Sequence, residues 1–250
     1  MYQFFVKPEQ IDVEHKRVWI TGSDVNHIVN VLRIKPGEEF AVSNGVDGKE
    51  YRCSMISCTQ DQVLCELRFI KEDEIELPVR VHLFQGLPKA DKMELIIQKA
   101  VELGVYEIIP VAMERCVVKL DAKKEAGKLS RWNAISEAAA KQSKRKVIPE
   151  VSPVMSYKEA LKKAAAMDVR LVPYELAEGM HKTRELIGSI EPGQDIAVMI
   201  GPEGGFAEKE IEAAMDCGMT PITLGKRILR TETAGMTVMA WIMYLTEADG

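Results

Sequence analysis

The chain has 250 residues, 46% of them hydrophobic, and a formal net charge of −5 with a pI near 5.6. That is long enough for one large or two small domains with a real core, and no apolar run approaches the ~20 residues that span a bilayer. Five cysteines, an odd number with no C-x-x-C pair, argue against a disulfide framework or a zinc site and read as small buried hydrophobes; with an N-terminus (MYQFFVKPEQ) unlike a secretion signal, the expectation is a cytoplasmic protein with no membrane partner and no metal.

Residues 1–72 read as mostly β. Short alternating segments at 17–20, 39–43, 50–57 and 62–69 are separated by Lys35-Pro36-Gly37 and Asn44-Gly45-Val46-Asp47-Gly48. One helix interrupts them, with Ser23 or Asp24 as N-cap and Val25, Ile28, Val29 and Leu32 at helical spacing. This is the pattern of a small barrel or sandwich. The acidic stretch 71–76 before Pro78 reads as a linker, so the expected domains are 1–72 and 73–250.

After Pro78 the period changes. An apolar strand at 79–85 leads into a helix at 89–103 stopped by Gly104. Next come a strand at 107–113, helices at 129–144 and 157–166, and strands at 169–174 and 195–200. A helix at 208–215 closed by Gly218, a strand at 221–224 and a long apolar helix at 232–246 complete the chain. Strands alternating with helices predict a mainly parallel sheet covered on both faces.

Between Arg115 and Lys146 lie ten basic residues and three acids, a positive segment inside an acidic protein. It reads either as a solvated helix face or as a surface for an anionic partner, since binding responds to local patches rather than to net charge.

Three loops stand at the carboxyl ends of predicted strands, where open α/β sheets bind ligands. They are Pro173-Tyr174-Glu175, the Gly-rich 200–206 and the basic 224–233. The Gly-rich loop lacks the spacing of a dinucleotide fingerprint or a P-loop, and Glu203, Glu208 and Glu210 would repel a phosphate at the helix start. A tight turn explains the glycines; so does close backbone approach to a neutral or cationic ligand such as a sulfonium. In the third loop Ile228 and Leu229 can wall an adenine, Arg227 and Arg230 can hold an anion, and Thr231 or Thr233 can cap the next helix.

IGPEGGF (200–206) together with LGKRILRTETA (224–234) resembles the 16S ribosomal RNA (uracil-N3)-methyltransferase family of the SPOUT, or α/β-knot, class. HIVNVLR (27–33) resembles the signature of that family's N-terminal PUA-like barrel. DKMELIIQKAVELGV (91–105), ERCVVK (114–119), Arg131-Trp132 and EAAAKQSKR (137–145) resemble segments of its catalytic domain, so the likeness covers nearly the whole chain. Gln3 stands where the family often has a basic residue.

The resemblance implies an α/β fold with a deep C-terminal trefoil knot behind a PUA-like barrel. It implies a homodimer that methylates N3 of a uridine in 16S rRNA of the small ribosomal subunit with S-adenosyl-L-methionine. The cofactor-binding residues it implies are Pro173, Tyr174, Glu175, Ile200, Gly201, Pro202, Glu203, Gly204, Leu224, Gly225, Ile228 and Leu229. Arg230 is the expected stabiliser of charge on the base or its phosphate, and Glu232 is expected to orient Arg230 or accept the N3 proton. Arg33, Arg115, Lys119, Lys141, Lys144 and Arg145 are expected at the RNA backbone, and the apolar face of the last helix (Met236, Met239, Ala240, Met243) at a dimer interface or in the core. The competing readings are a non-catalytic RNA-binding or ribosome-assembly protein on the same fold, a SPOUT enzyme for another RNA position, and a dinucleotide oxidoreductase, which lacks its phosphate fingerprint.

Overall fold

The computed structural model describes residues 1–72, 75–177 and 179–247. Contacts divide the chain into two compact units, one of Met1–Glu76 with Ala140–Ile148, the other of Leu77–Ala139 with the chain from Pro149 onward.

The first unit is built on one six-stranded sheet of β1 (Gln3–Phe5), β2 (Ile11–Asp12), β3 (Arg17–Thr21), β4 (Glu39–Ser43), β5 (Lys49–Cys58) and β6 (Gln62–Glu72). The order is β1-β4-β5-β6-β3-β2; β1 runs parallel to β4 and the other pairs are antiparallel. Alternation drives it: Val18 and Ile20 of β3, and Val63, Cys65 and Leu67 of β6, point to one buried face with Phe4, Phe40 and Val42. The interrupting helix, α1 (Ser23–Asn26), starts after Gly22 at φ 78° without a side-chain cap, so neither Ser23 nor Asp24 caps it. It runs on into a π turn at His27–Val31, where the Leu32 N–H bonds the His27 carbonyl at 2.9 Å, and Ile28 goes into the core.

Part of the presumed linker is structure. β6 extends to Glu72, Asp73 and Glu74 lie outside the described residues, and the Glu76 carboxylate pairs with Arg145. Arg145 is only 5% exposed, and the neighbouring Lys146 is buried against Glu50. Gln3 donates to the Arg145 carbonyl at 2.8 Å, a structural role for the polar side chain that departs from the family pattern. Cys53, Cys65 and Cys116 are buried as expected, but Cys58 is exposed and Cys217 half-buried.

The second unit holds β7 (Arg80–Gly86), α2 (Lys92–Glu102), β8 (Glu107–Ala112), α3 (Ala122–Gln142), β9 (Glu150–Val151), β10 (Met155–Ser156), α4 (Tyr157–Ala164), β11 (Val169–Pro173), α5 (Met180–Gly188), β12 (Asp195–Ile200), α6 (Glu208–Asp216), β13 (Thr220–Ile222) and α7 (Thr231–Thr246). α3 runs on into the first unit. The seven-stranded sheet has the order β10-β8-β7-β12-β11-β13, with β9 on β8, and every pair is parallel. All of β7 after Arg80 and all of β12 after Asp195 is buried, the mark of strands covered on both faces. Gly104 and Gly218, at φ 87° and 78°, close α2 and α6 with paired C-terminal bonds: Val105 and Gly104 N–H to Ala100 and Val101, Met219 and Gly218 N–H to Ala214 and Met215.

Two helices differ from expectation. α3 begins at Ala122, not near 129, because Asp121 accepts the Lys124 N–H at 2.9 Å and caps a polar first turn that carries no apolar period. α5 has no counterpart among the elements that the sequence pattern predicts: it buries only Thr183 and Ile187, and Gly179 rather than a capping side chain precedes it.

At the amino ends of the parallel strands, His82 is 7% exposed and bridges Glu107 (3.0 Å) and Asp195 (2.9 Å); Lys163 holds Glu107, and Arg80 grips Asp195 through two bonds of 2.7 Å. Hydrogen bonds from Arg80, then His82, hold the Asp195 carboxyl down to about 2 against an ordinary 3.8. A depressed folded pKa gives stability that is fully present above the unfolded value and is lost as pH falls through the folded one. Asp195→Asn should therefore flatten the loss of stability between pH 4 and pH 2, read from urea midpoints across that window.

Candidate active site

β13, β11 and β12 are neighbours in the sheet, so the loops that follow them meet at its carboxyl edge. They enclose a cleft of about 510 Å³ within the second unit. Every residue expected to hold the cofactor lines it: Pro173, Tyr174, Glu175, Ile200, Gly201, Pro202, Glu203, Gly204, Leu224, Gly225, Ile228 and Leu229. Arg230 lines it as well and is exposed, while Glu232 does not line it.

The 200–206 loop is packed on both sides. A Cβ on Gly86, at the end of β7, would lie 2.7 Å from the Pro202 nitrogen, so only glycine lets the loop cross there. A Cβ on Gly204 would lie 3.1 Å from that of Arg115, whose guanidinium donates to the Gly204 carbonyl at 2.9 Å. The acids near the loop do not wait for a cationic ligand. Glu210 is 5% exposed and accepts the Glu114 and Ala207 N–H groups, both at 2.9 Å. Glu203 accepts the Lys89 N–H at 3.0 Å and pairs with Lys92 at 3.0 Å. Burial alone would raise the Glu203 carboxyl, but hydrogen bonds from Lys92 and the Lys89 amide leave it below its ordinary value.

The 223–231 loop is held at both ends. Thr183 and Thr223 exchange hydrogen bonds of 3.3 and 3.2 Å. At the other end Thr231 does not cap α7, nor does Thr233: the N-cap is Arg230 and no side-chain bond caps the helix. The buried Thr231 hydroxyl instead donates to the Gly201 carbonyl (2.6 Å) and accepts from Gln85 (2.9 Å). A buried hydroxyl is drawn to the partner that satisfies it most fully, and here that partner is another loop. Ile228 is 86% exposed, and Leu224 and Leu229 are half-buried along the cleft.

Glu232 is 14% exposed and faces Lys92 at 3.5 Å rather than Arg230, so the expected orientation of Arg230 by Glu232 is not made. Lys92, which sequence reasoning passed over, lines the cleft and touches both Glu203 and Glu232. The signal was present: a cation in the first turn of a helix opposes the helix dipole and calls for nearby acids.

The expected RNA contacts fall in both units. In the second, Arg115 and Lys119 are exposed. In the first, Arg33 (φ 55°) and Lys144 (φ 62°) are exposed, Lys141 pairs with Asp24 at 3.4 Å, and Arg145 is the buried partner of Glu76. A guanidinium so neutralised has no accessible face for phosphate, so Arg145 is withdrawn from that set.

Residues 75–243 match the profile of a family described as RNA methyltransferase domain. The chain belongs to this family. Residues 20–68 match the RNA methyltransferase PUA domain, so the fold class is the expected α/β one, a parallel sheet flanked by helices, preceded in the chain by a PUA-like domain. Among family members, the ribosomal RNA small subunit methyltransferase E of Bacillus subtilis (strain 168) is 37% identical, over 99% of this chain and 98% of its own length. The solved structure of the corresponding Neisseria gonorrhoeae enzyme bound to S-adenosyl methionine is 33% identical, with a TM-score of 0.84 over 98% of both chains. A putative methyltransferase of Legionella pneumophila, solved with bound cofactor SAM, is 30% identical with a TM-score of 0.84 over 97% of this chain and 96% of that one.

Gly86→Ala should cost about 1–3 kcal/mol by overpacking the crossing with Pro202, and displace the 200–206 loop. Urea unfolding measures the first effect, and backbone amide chemical shifts of residues 201 and 203–206 the second.

Proposed function

We propose that this protein methylates N3 of a uridine in 16S rRNA of the small ribosomal subunit, using S-adenosyl-L-methionine. The observation that carries the reading is the convergence of three loops, distant in sequence, on one cleft in a chain that aligns end to end with small-subunit ribosomal RNA methyltransferases. The cleft fits the cofactor: about 510 Å³ lies in the range of small-molecule sites, and Leu224, Ile228 and Leu229 give it an apolar wall beside the glycine backbone. When bound, the cofactor supplies an already electrophilic methyl group, so the reaction calls for no metal.

In the transfer the carbon–sulfur bond breaks, the carbon–N3 bond forms, the N3–H proton passes to water and S-adenosylhomocysteine leaves. A neutral imide nitrogen is a poor nucleophile, so the chain's part is to hold negative charge on the base. The exposure of Arg230 at the cleft, where it is the N-cap residue of α7, supports this role for it. Glu232 lies 3.5 Å from Lys92 and is not part of the cleft lining, which speaks against its taking the N3 proton directly. N3 lies on the pairing edge, so the target uridine must be unpaired or flipped out.

Arg115 and Lys119, with Arg33 and Lys144 on the first unit, supply phosphate contacts that give affinity without sequence choice. The protein works as a cytoplasmic homodimer in this reading. Tyr244 and Leu245, 80% and 51% exposed at the end of α7, suit a covered face, as do the half-buried Met236, Ala240 and Met243; Met239 is core. Among the described residues no helix is long and apolar enough to cross a membrane.

The deciding experiment offers labelled S-adenosyl-L-methionine with unmodified small subunits and with naked 16S RNA, followed by nucleoside digestion. 3-Methyluridine is the expected product; cofactor binding without transfer would point to another RNA position, and no binding to a non-catalytic RNA-binding protein. Arg230→Ala should slow transfer about 100-fold or more, as loss of an oxyanion donor does, with cofactor affinity little changed. Arg115→Ala and Lys119→Ala should each lower the slope of log affinity against log salt by about 0.7–0.9, measured by RNA titration at several ionic strengths.

A further inference from the structure

The turn between β7 and α2, residues 87–91, belongs to none of the three cleft loops, yet it is tied to the site from two directions. The Lys89 N–H donates to Glu203 at 3.0 Å. The Lys92 ammonium, two residues past the strained Ala90 (φ 54°), lies 3.0 Å from Glu203 and 3.5 Å from Glu232. The Glu232 oxygen in that pair is fully buried and has no hydrogen-bond partner among the described residues. Without Lys92 it would be left with no cation, and the Glu203 carboxylate would lose one of its two anchors.

A non-glycine residue at positive φ persists only where its surroundings over-determine it. Three charged groups from three segments provide that here: Lys92 at the start of α2, directly after the turn, Glu203 from the loop after β12, and Glu232 from the first turn of α7. The side chain of Lys92 also lines the cleft, beside the helix start that carries Arg230. On these grounds, and resting on the proposed function for its catalytic consequence, we infer that Lys92 is a positioning residue that clamps the 87–92 turn onto the 200–206 loop and the first turn of α7. It thereby fixes one rim of the active-site cleft and the setting of Arg230. The Lys92 ammonium is charged across the neutral range as an ordinary lysine is, and hydrogen bonding to Glu203 raises its pKa further.

The test needs no turnover. In the ligand-free protein, exchange of the Lys89 amide should be slow, should quicken on the order of tenfold in Lys92→Met and in Glu203→Ala, and should stay near wild type in Lys92→Arg. Affinity for S-adenosylhomocysteine should fall on the order of tenfold in Lys92→Met, and the Lys92→Met/Glu203→Ala double variant should bind no more weakly than the worse single variant, as expected for groups in direct contact. Methyl transfer in Lys92→Met should drop further than affinity does and recover in Lys92→Arg. Unchanged Lys89 exchange in Lys92→Met, or additive losses in the double variant, would overturn the clamp. A wild-type protein that binds no S-adenosylhomocysteine would overturn the proposed function instead, while the amide exchange would still decide the clamp.

Discussion

One hydroxyl holds the site together. Thr231 donates to the carbonyl of Gly201 and accepts from Gln85, so the end of β7, the end of β12 and the start of α7 meet at one buried group. Breaking one such bond leaves a buried polar atom unpaired, at a cost of about 1–3 kcal/mol. The cleft depends on it because two of its three walls hang from the segments it joins. The glycine crossing of Gly86 and Pro202 lies next to this junction and leaves no room for an ordinary residue.

The parallel sheet explains why ligand chemistry gathers at one edge. Its central strands are buried on both faces, so their side chains are committed to packing. Polar groups collect where the strands end. At the amino edge they form a closed network about His82, in which Glu107 and Asp195 are matched by Lys163 and Arg80. At the carboxyl edge the network is open: Arg230 is exposed and the apolar wall ends at a nearly bare Ile228. A closed network stabilises; an open one has capacity left for a ligand.

Net charge says little about partners here because many of the charges are spent internally. Glu50, Glu76, Glu94 and Glu203 each hold a cation from a distant part of the chain. The same accounting removes Arg145 and Lys146 from the basic run that the sequence displays and leaves Arg115, Lys119 and Lys144 exposed. Arg131 is exposed but bound to Glu94 at 2.7 Å.

Periodicity, turn chemistry and motif order were enough to place the β-rich first part, five of the seven parallel strands (the two-residue β9 and β10 are too short to show a period), the glycine stops at Gly104 and Gly218, and the loops that form the cleft. These are local or one-dimensional signals: each element, stop or loop is marked by the residues within it, although the strands and loops pair with partners far along the chain. The early start of α3 was legible in Asp121 but masked by a polar first turn, and α5 had too narrow an apolar stripe to show. What only the tertiary structure decided are pairings across long separations: Thr231 with Gly201 instead of its own helix, Glu232 with Lys92 instead of Arg230, and Arg145 with Glu76 instead of solvent. The physical reason is the same in each case. A charge or hydroxyl can satisfy itself with any partner that burial brings within reach, and reach is set by the fold, not by the position of a residue along the chain.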